Sequence, residues 1–115
     1  MSQELRKAIV KAVETCQQRD AIQFAALFTL DAKLVLAGGQ KIQGRDEIAR
    51  VTADYFRSIE EIRIEIEEMN VNGDRAVIRW IWQARDGEGK QKRTENTIEL
   101  SFRGEAIAYW QEAIE

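Results

Sequence analysis

Residues 91–103, QKRTENTIELSFR, alternate strictly. The even positions Thr94, Asn96, Ile98, Leu100 and Phe102 form a mostly apolar row, and the odd positions Arg93, Glu95, Thr97, Glu99, Ser101 and Arg103 an almost wholly polar one. A period of two sustained over this length is incompatible with a helix. It demands a strand with one face buried and the other solvated, which is the antiparallel condition. The preceding segment 75–85 repeats the pattern, with Ala76, Ile78, Trp80, Trp82 and Ala84 on one face and Val77, Arg79, Ile81, Gln83 and Arg85 on the other.

Register follows from parity, because side chains opposed across strands must share a face. A loop of residues 87–89 sets Trp80 against Asn96 and Ile78 against Ile98, keeping both inner rows together, whereas a two-residue loop would oppose Trp80 to Glu95. The odd loop is therefore expected. At the last turn a loop of 104–106 sets Leu100 beside Trp110 and Ile98 beside Glu112, pointing Glu112 inward. A two-residue turn or a bulge there would instead turn Tyr109 and Gln111 inward.

The rest of the chain completes the sheet and supplies its cover. Leu5, Ile9, Ala12, Val13 and Cys16 recur at helical spacing between Ser2 and Gln18. Asp20 and Gln23 have the form of a capping box for a short second helix carrying Ile22, Ala25, Ala26 and Phe28. AKLVLA, 32–37, reads as a strand ending at Gly38-Gly39, and KIQ as a small returning strand. After Gly44 the acids Asp46 and Glu47 suit a first helical turn, and Ile48, Val51, Tyr55, Phe56 and Ile59 form the stripe of a third helix ending near Ile59. IRIEIEEMNV then begins a four-strand meander, and the lapse in alternation at Glu67 and Glu68 predicts a curving bulge.

Composition narrows the chemistry. There are no histidines, so Ser-His, Cys-His and zinc-histidine schemes are absent, and proton transfer falls to Asp, Glu, Tyr, Lys or Cys. No metal and no cofactor are expected. The single cysteine, Cys16, reads as a small buried hydrophobe. Basic residues, 17 against 20 acidic, are scattered among the acids, which argues against a nucleic-acid partner. No run approaches the about 18 apolar residues needed to span a bilayer, and MSQELRKAIVK carries charges where a signal peptide needs apolar residues. A cytoplasmic protein with no membrane association is expected. With 115 residues, the chain from 1 to 115 is read as one domain.

Inward parity gathers Asn96 and Glu112 on the concave face, walled by Trp80, Trp82 and Trp110, with Phe24, Phe28, Tyr55 and Phe56 of the helices above. A carboxyl buried among indoles has its anion disfavoured and becomes a usable acid or base near neutrality. The competing reading is that Glu112 pairs locally and does no chemistry, and that the tryptophans are simply core.

The helices, the glycine-bearing turn, "IQGRDEI" leading into the third helix with Gly44, Arg45 and Ile48, and the terminal "GEAIAYWQEAIE" together resemble the nuclear transport factor 2-like superfamily over nearly the whole chain. The resemblance, which extends to the SnoaL-like and ketosteroid isomerase-like branches, implies an α+β cone. In it three helices pack on a strongly curved, mainly antiparallel sheet enclosing a pocket, and homodimers form through the outer sheet face. On this chain that face would carry Arg93, Glu95, Thr97 and Glu99 with Val77, Ile81 and Tyr109. The carboxylate that ketosteroid isomerases place after the first strand is replaced by Leu36-Ala37-Gly38-Gly39, the first helix has no tyrosine, and the penultimate-strand acid falls near Ile98, so that isomerisation is not implied. Limonene epoxide hydrolases end with Trp-x-Asp, a spacing matched by Trp110-Gln111-Glu112, but their Arg-x-Asp has no counterpart around Trp80-Ile81-Trp82.

The expectation is a pocket for a small hydrophobic ligand lined by Trp80, Trp82, Trp110, Ile98, Tyr55, Phe56 and Phe28. Glu112 and Asn96 are the candidates for cofactor-free isomerase-, cyclase- or hydrolase-like chemistry. The alternatives are a non-catalytic ligand-binding or association module, or a structural dimer whose cavity its own side chains fill.

Overall fold

The computed structural model describes residues 2–114. Three helices, α1 (Ser2–Gln17), α2 (Ala21–Ala25) and α3 (Arg45–Arg57), cover one face of a six-stranded sheet. The strands are β1 (Phe28–Val35), β2 (Lys41–Gln43), β3 (Ile59–Asn72), β4 (Arg75–Asp86), β5 (Gln91–Arg103) and β6 (Ala106–Ile114), in the order β2-β1-β6-β5-β4-β3. All neighbours are antiparallel except β1 and β6. The result is an unclosed, curved mixed sheet under helices, the nuclear transport factor 2-like cone. Among the described residues no helix is long and apolar enough to cross a membrane.

The alternation in β4 and β5 has the expected consequence. Ala76, Ile78, Trp80, Asn96, Ile98, Leu100 and Phe102 are all buried, and Trp80 opposes Asn96 while Ile78 opposes Ile98 across a loop of 87–89. In β3 the pairing slips between Ile66 and Glu68, where the sequence predicted a bulge. An extra residue on one strand is left out of the ladder, bends that strand and increases the local twist.

The last hairpin differs from expectation in an instructive way. Its turn is Gly104-Glu105, shorter by one residue than the predicted 104–106, and Arg103 opposes Ala106. Continued regularly, that register would bring Tyr109 and Gln111 inward. Ala108, however, is an extra residue between the pairs Phe102–Ile107 and Ser101–Tyr109, and beyond it Leu100 opposes Trp110 and Ile98 opposes Glu112. The short turn and the bulge cancel, and Ile107 joins Trp110 on the buried face.

Two helix boundaries were also misplaced. Phe28 is not on the second helix but opens β1, and Ile59 is not the end of the third but opens β3. The second helix stops at Ala25, and Ile22, expected on its buried stripe, is exposed. The Asp20 cap is present: its carboxylate accepts from the Gln23 amide at 3.0 Å.

The Gly-Arg-x-x-Ile lead-in to α3 acts as a clasp. Gly44 adopts φ 94° and ψ 143°, a conformation that only glycine takes without strain, and its amide donates to the Ala32 carbonyl at 2.8 Å. Arg45 then donates from Nε and Nη2 to the Phe28 carbonyl at 3.0 and 2.7 Å, and Ile48 is fully buried. At the other end of the helical layer, Gln17 accepts from the Ile64 amide at 2.8 Å and fastens α1 to the edge strand β3. These ties hold the helices over the hollow of the sheet.

Candidate functional site

Between helices and sheet lies a cavity of about 320 Å³. That is near the lower end of the range of about 300–1,000 Å³ found for small-molecule sites. Aromatic rings form a continuous wall. Phe24 lies against Trp110 with centroids 5.5 Å apart, Trp110 against Trp80 at 5.7 Å, Trp80 against Trp82 at 6.0 Å, Trp82 against Tyr55 at 6.2 Å, and Tyr55 against Phe56 at 6.0 Å. The period-two spacing of Trp80 and Trp82 places both on the concave face of β4, while Tyr55 and Phe56 come down from the last turn of α3. Tyr55, 42% exposed, stands where the cavity meets solvent, together with the exposed Lys92 and Ile114.

Glu112 projects from β6 into this space. Trp110 Nε1 donates to its Oε2 at 3.0 Å, and the Ala37 amide donates to the same carboxylate. The second donor exists because β1 runs parallel to β6, with Val35 opposite Gln111, which carries the end of β1 alongside Glu112. Burial among the rings pushes the Glu112 pKa above its ordinary 4.5, and the two donors oppose that shift without cancelling it. The carboxyl thus retains its proton to a higher pH than an unburied glutamate would.

The other groups facing it respond to the same environment. Cys16, from the last turn of α1, lines the cavity, and burial, reinforced by the negative charge of Glu112, pushes its thiol pKa upward and keeps it protonated. The Tyr55 hydroxyl is likewise raised by burial, an effect partly opposed by the neighbouring Trp82 indole. Asn96 lines the cavity from β5 but is bonded along its own strand: Thr94 Oγ1 donates to Asn96 Oδ1 at 3.1 Å. Asn96 opposes Ile114, and Glu112 opposes Ile98, so the two candidate polar groups stand one inward position apart on neighbouring strands.

Of the residues the sequence assigned to a pocket, Trp80, Trp82, Trp110, Tyr55, Phe56, Asn96 and Glu112 border the cavity. Ile98 and Phe28 do not. Ile98 is fully buried beneath the wall, and Phe28 sits behind it, with ring centroids 5.1 Å from Phe24 and 5.8 Å from Trp110. Sequence reasoning missed Cys16, Thr94 and the Ala37 amide. Cys16 was visible on the apolar stripe of α1 and Thr94 on the inner parity of β5, but no local signal reveals an amide delivered by a parallel pairing. Among the described residues no cluster of three Cys, Asp or Glu side chains is arranged to hold a metal ion.

No protein with a curated description matches the chain in sequence. Solved structures match it closely in fold. It is similar to an LEH-like epoxide hydrolase of M. tuberculosis, with a TM-score of 0.87 and 13% identity, covering 98% of this chain and 84% of that one. It is similar to a Catenulispora acidiphila protein with a ketosteroid isomerase-like fold in complex with trimethylamine, with a TM-score of 0.84 and 20% identity over 91% of this chain and 82% of that one. It is also similar to TerC co-crystallised with polyporic acid, with a TM-score of 0.83 and 16% identity over 97% and 92% of the two chains. At these identities the likeness is one of fold. In sequence, residues 9–110 match the SnoaL-like domain family, so the chain belongs to that family.

Proposed function

We propose that this SnoaL-like chain binds a small, predominantly apolar molecule in the aromatic cavity and that Glu112 engages the one polar group of that molecule. The observation that carries the reading is the placement of a single carboxyl, held by an indole and a backbone amide, within an otherwise apolar and aromatic wall. Burying such a group costs free energy that core packing alone would not select, whereas a ligand partner offsets it. The fold neighbours crystallised with trimethylamine and with polyporic acid support small-molecule binding by this architecture.

A carboxyl whose pKa is raised by burial is suited to take a proton from a carbon acid or to give one to a leaving oxygen. The chemistry supported is therefore cofactor-free isomerase-, cyclase- or hydrolase-like, with Glu112 as the acid or base and Asn96 holding a substrate oxygen. A second, non-catalytic reading draws on a specific feature: Asn96 is engaged by Thr94 and Glu112 by two donors, a satisfied arrangement that suits a binding site as well as a reactive one. We further propose that two copies pair through the outer sheet face around Val77, Ile81 and Tyr109, which light scattering at micromolar concentration tests.

The discriminating experiment presents wild type and Glu112→Gln with apolar carbonyl compounds, epoxides and polyketide-like phenols, following tryptophan fluorescence and turnover. Binding with turnover lost in the variant supports catalysis. Binding by both proteins with no turnover in either supports the module, and binding by neither overturns the proposal.

A further inference from the structure

The wall of the cavity is unusual in what it leaves available to a ligand. Six rings, Phe24, Trp110, Trp80, Trp82, Tyr55 and Phe56, stand in consecutive contact with interplanar angles between 43° and 79°, so that successive faces turn around the space. The Trp110 indole donor is consumed internally by Glu112, and Asn96 Oδ1 accepts from Thr94. What the wall offers a guest is chiefly electron-rich ring surface with one carboxyl set in it. The titratable and charged side chains facing the space are Cys16 from α1, Tyr55 from α3, Lys92 from β5 and Glu112 from β6, and the one cation among them, Lys92, is exposed at the rim.

Such a surface favours cations: aromatic faces attract them by their quadrupole, and an ionised Glu112 adds a full charge. A primary ammonium would have to surrender strong hydration to a wall that offers few acceptors, whereas an alkylated ammonium is weakly hydrated and presents methyl groups to the rings. An anion would meet an ionised Glu112, and a neutral molecule would forgo the attraction of the ring faces for a cation.

Resting on the reading that the cavity binds a small apolar molecule, we propose that its ligands carry an alkylated ammonium group, caged by Trp80, Trp82, Trp110 and Tyr55 and paired with Glu112. The hydrocarbon remainder of the ligand lies along Phe24 and Phe56, and the tail leaves past Tyr55 and Ile114. In this arrangement Glu112 is a counter-ion: the bound cation favours its ionised form against the burial that disfavours it.

The test compares choline with its neutral isostere 3,3-dimethylbutan-1-ol by calorimetry and tryptophan fluorescence at pH 8 and low salt. In wild type, choline is expected to bind about tenfold or more tightly than the alcohol, the preference that a desolvated cation–π site supports. In Glu112→Gln the preference is expected to shrink severalfold while the alcohol binds as before. In Trp82→Leu, which removes a ring face at the edge of the cavity, choline affinity is expected to fall with little change for the alcohol. Equal affinity of the two compounds for wild type overturns the ammonium assignment and leaves the apolar-cavity reading standing, as does a preference unchanged in both variants. Failure of the folded wild-type protein to bind either compound or any member of the apolar library overturns both.

Discussion

Replacing Trp110 with phenylalanine isolates the bond that holds the cavity carboxyl. Trp110 is 2% exposed, lies against Phe24, Phe28 and Trp80, and donates to Glu112 at 3.0 Å. Phenylalanine keeps the stacking position and loses the smaller part of the ring area, a cost of about 1 kcal/mol at ~25 cal/mol per Å². Losing a hydrogen bond to a charged group adds about 1.5–3 kcal/mol. Wild type is thus expected to lose about 2.5–4 kcal/mol in urea unfolding at pH 8. In a Glu112→Leu background the indole N–H has no carboxylate to serve, and the same change is expected to cost about 1 kcal/mol or less, the remainder being the coupling energy of the pair. An equal cost of Trp110→Phe in the two backgrounds would refute the reasoning, because it would mean that the indole and the carboxyl do not interact.

Other outcomes follow from the same contacts. Because the folded-state pKa of Glu112 lies above its ordinary 4.5, the protonated form is favoured by folding; its contribution to stability is complete below 4.5 and is lost as pH rises through the raised value. Glu112→Gln should therefore gain thermal stability relative to wild type as pH climbs from 4 toward 9, and a constant difference across that range would contradict the burial of the charge. Cys16, buried and held protonated, should react with a thiol-specific disulfide reagent at the rate of unfolding and not at the rate of an exposed thiol, as a stopped-flow trace at pH 8 would show. Arg45→Met removes two charged donors from the Phe28 carbonyl and should cost about 1.5–3 kcal/mol in denaturant melts. Gly44→Ala forces a side chain into φ 94° and should cost about 1–3 kcal/mol.

Much of the sheet was legible because β4 and β5 alternate without interruption, so parity alone fixed Trp80 against Asn96 through the 87–89 loop. The bulge beside Glu67 was equally visible as a lapse in that alternation. The inward Glu112 was reached for an incomplete reason: the expected three-residue turn is absent, and the shorter turn is compensated by Ala108. Apolar spacing could not separate the end of a five-residue helix from the start of a strand, which is why Phe28 and Ile59 were assigned to helices. The parallel pairing of β1 with β6 joins segments distant in sequence, and with it went the Ala37 donor to Glu112. Residues placed by local periodicity were readable; those placed by long-range pairing were not.

The state of Glu112 can be observed directly by carbon NMR of its side-chain carboxyl, assigned by comparison with Glu112→Gln and titrated with and without choline. The expected curve has its midpoint above 4.5 in the free protein, higher still in Trp110→Phe, and displaced downward when the ammonium is bound. A midpoint shared with the exposed glutamates and indifferent to both changes would place the carboxyl in water and remove the basis for a ligand cavity built around it.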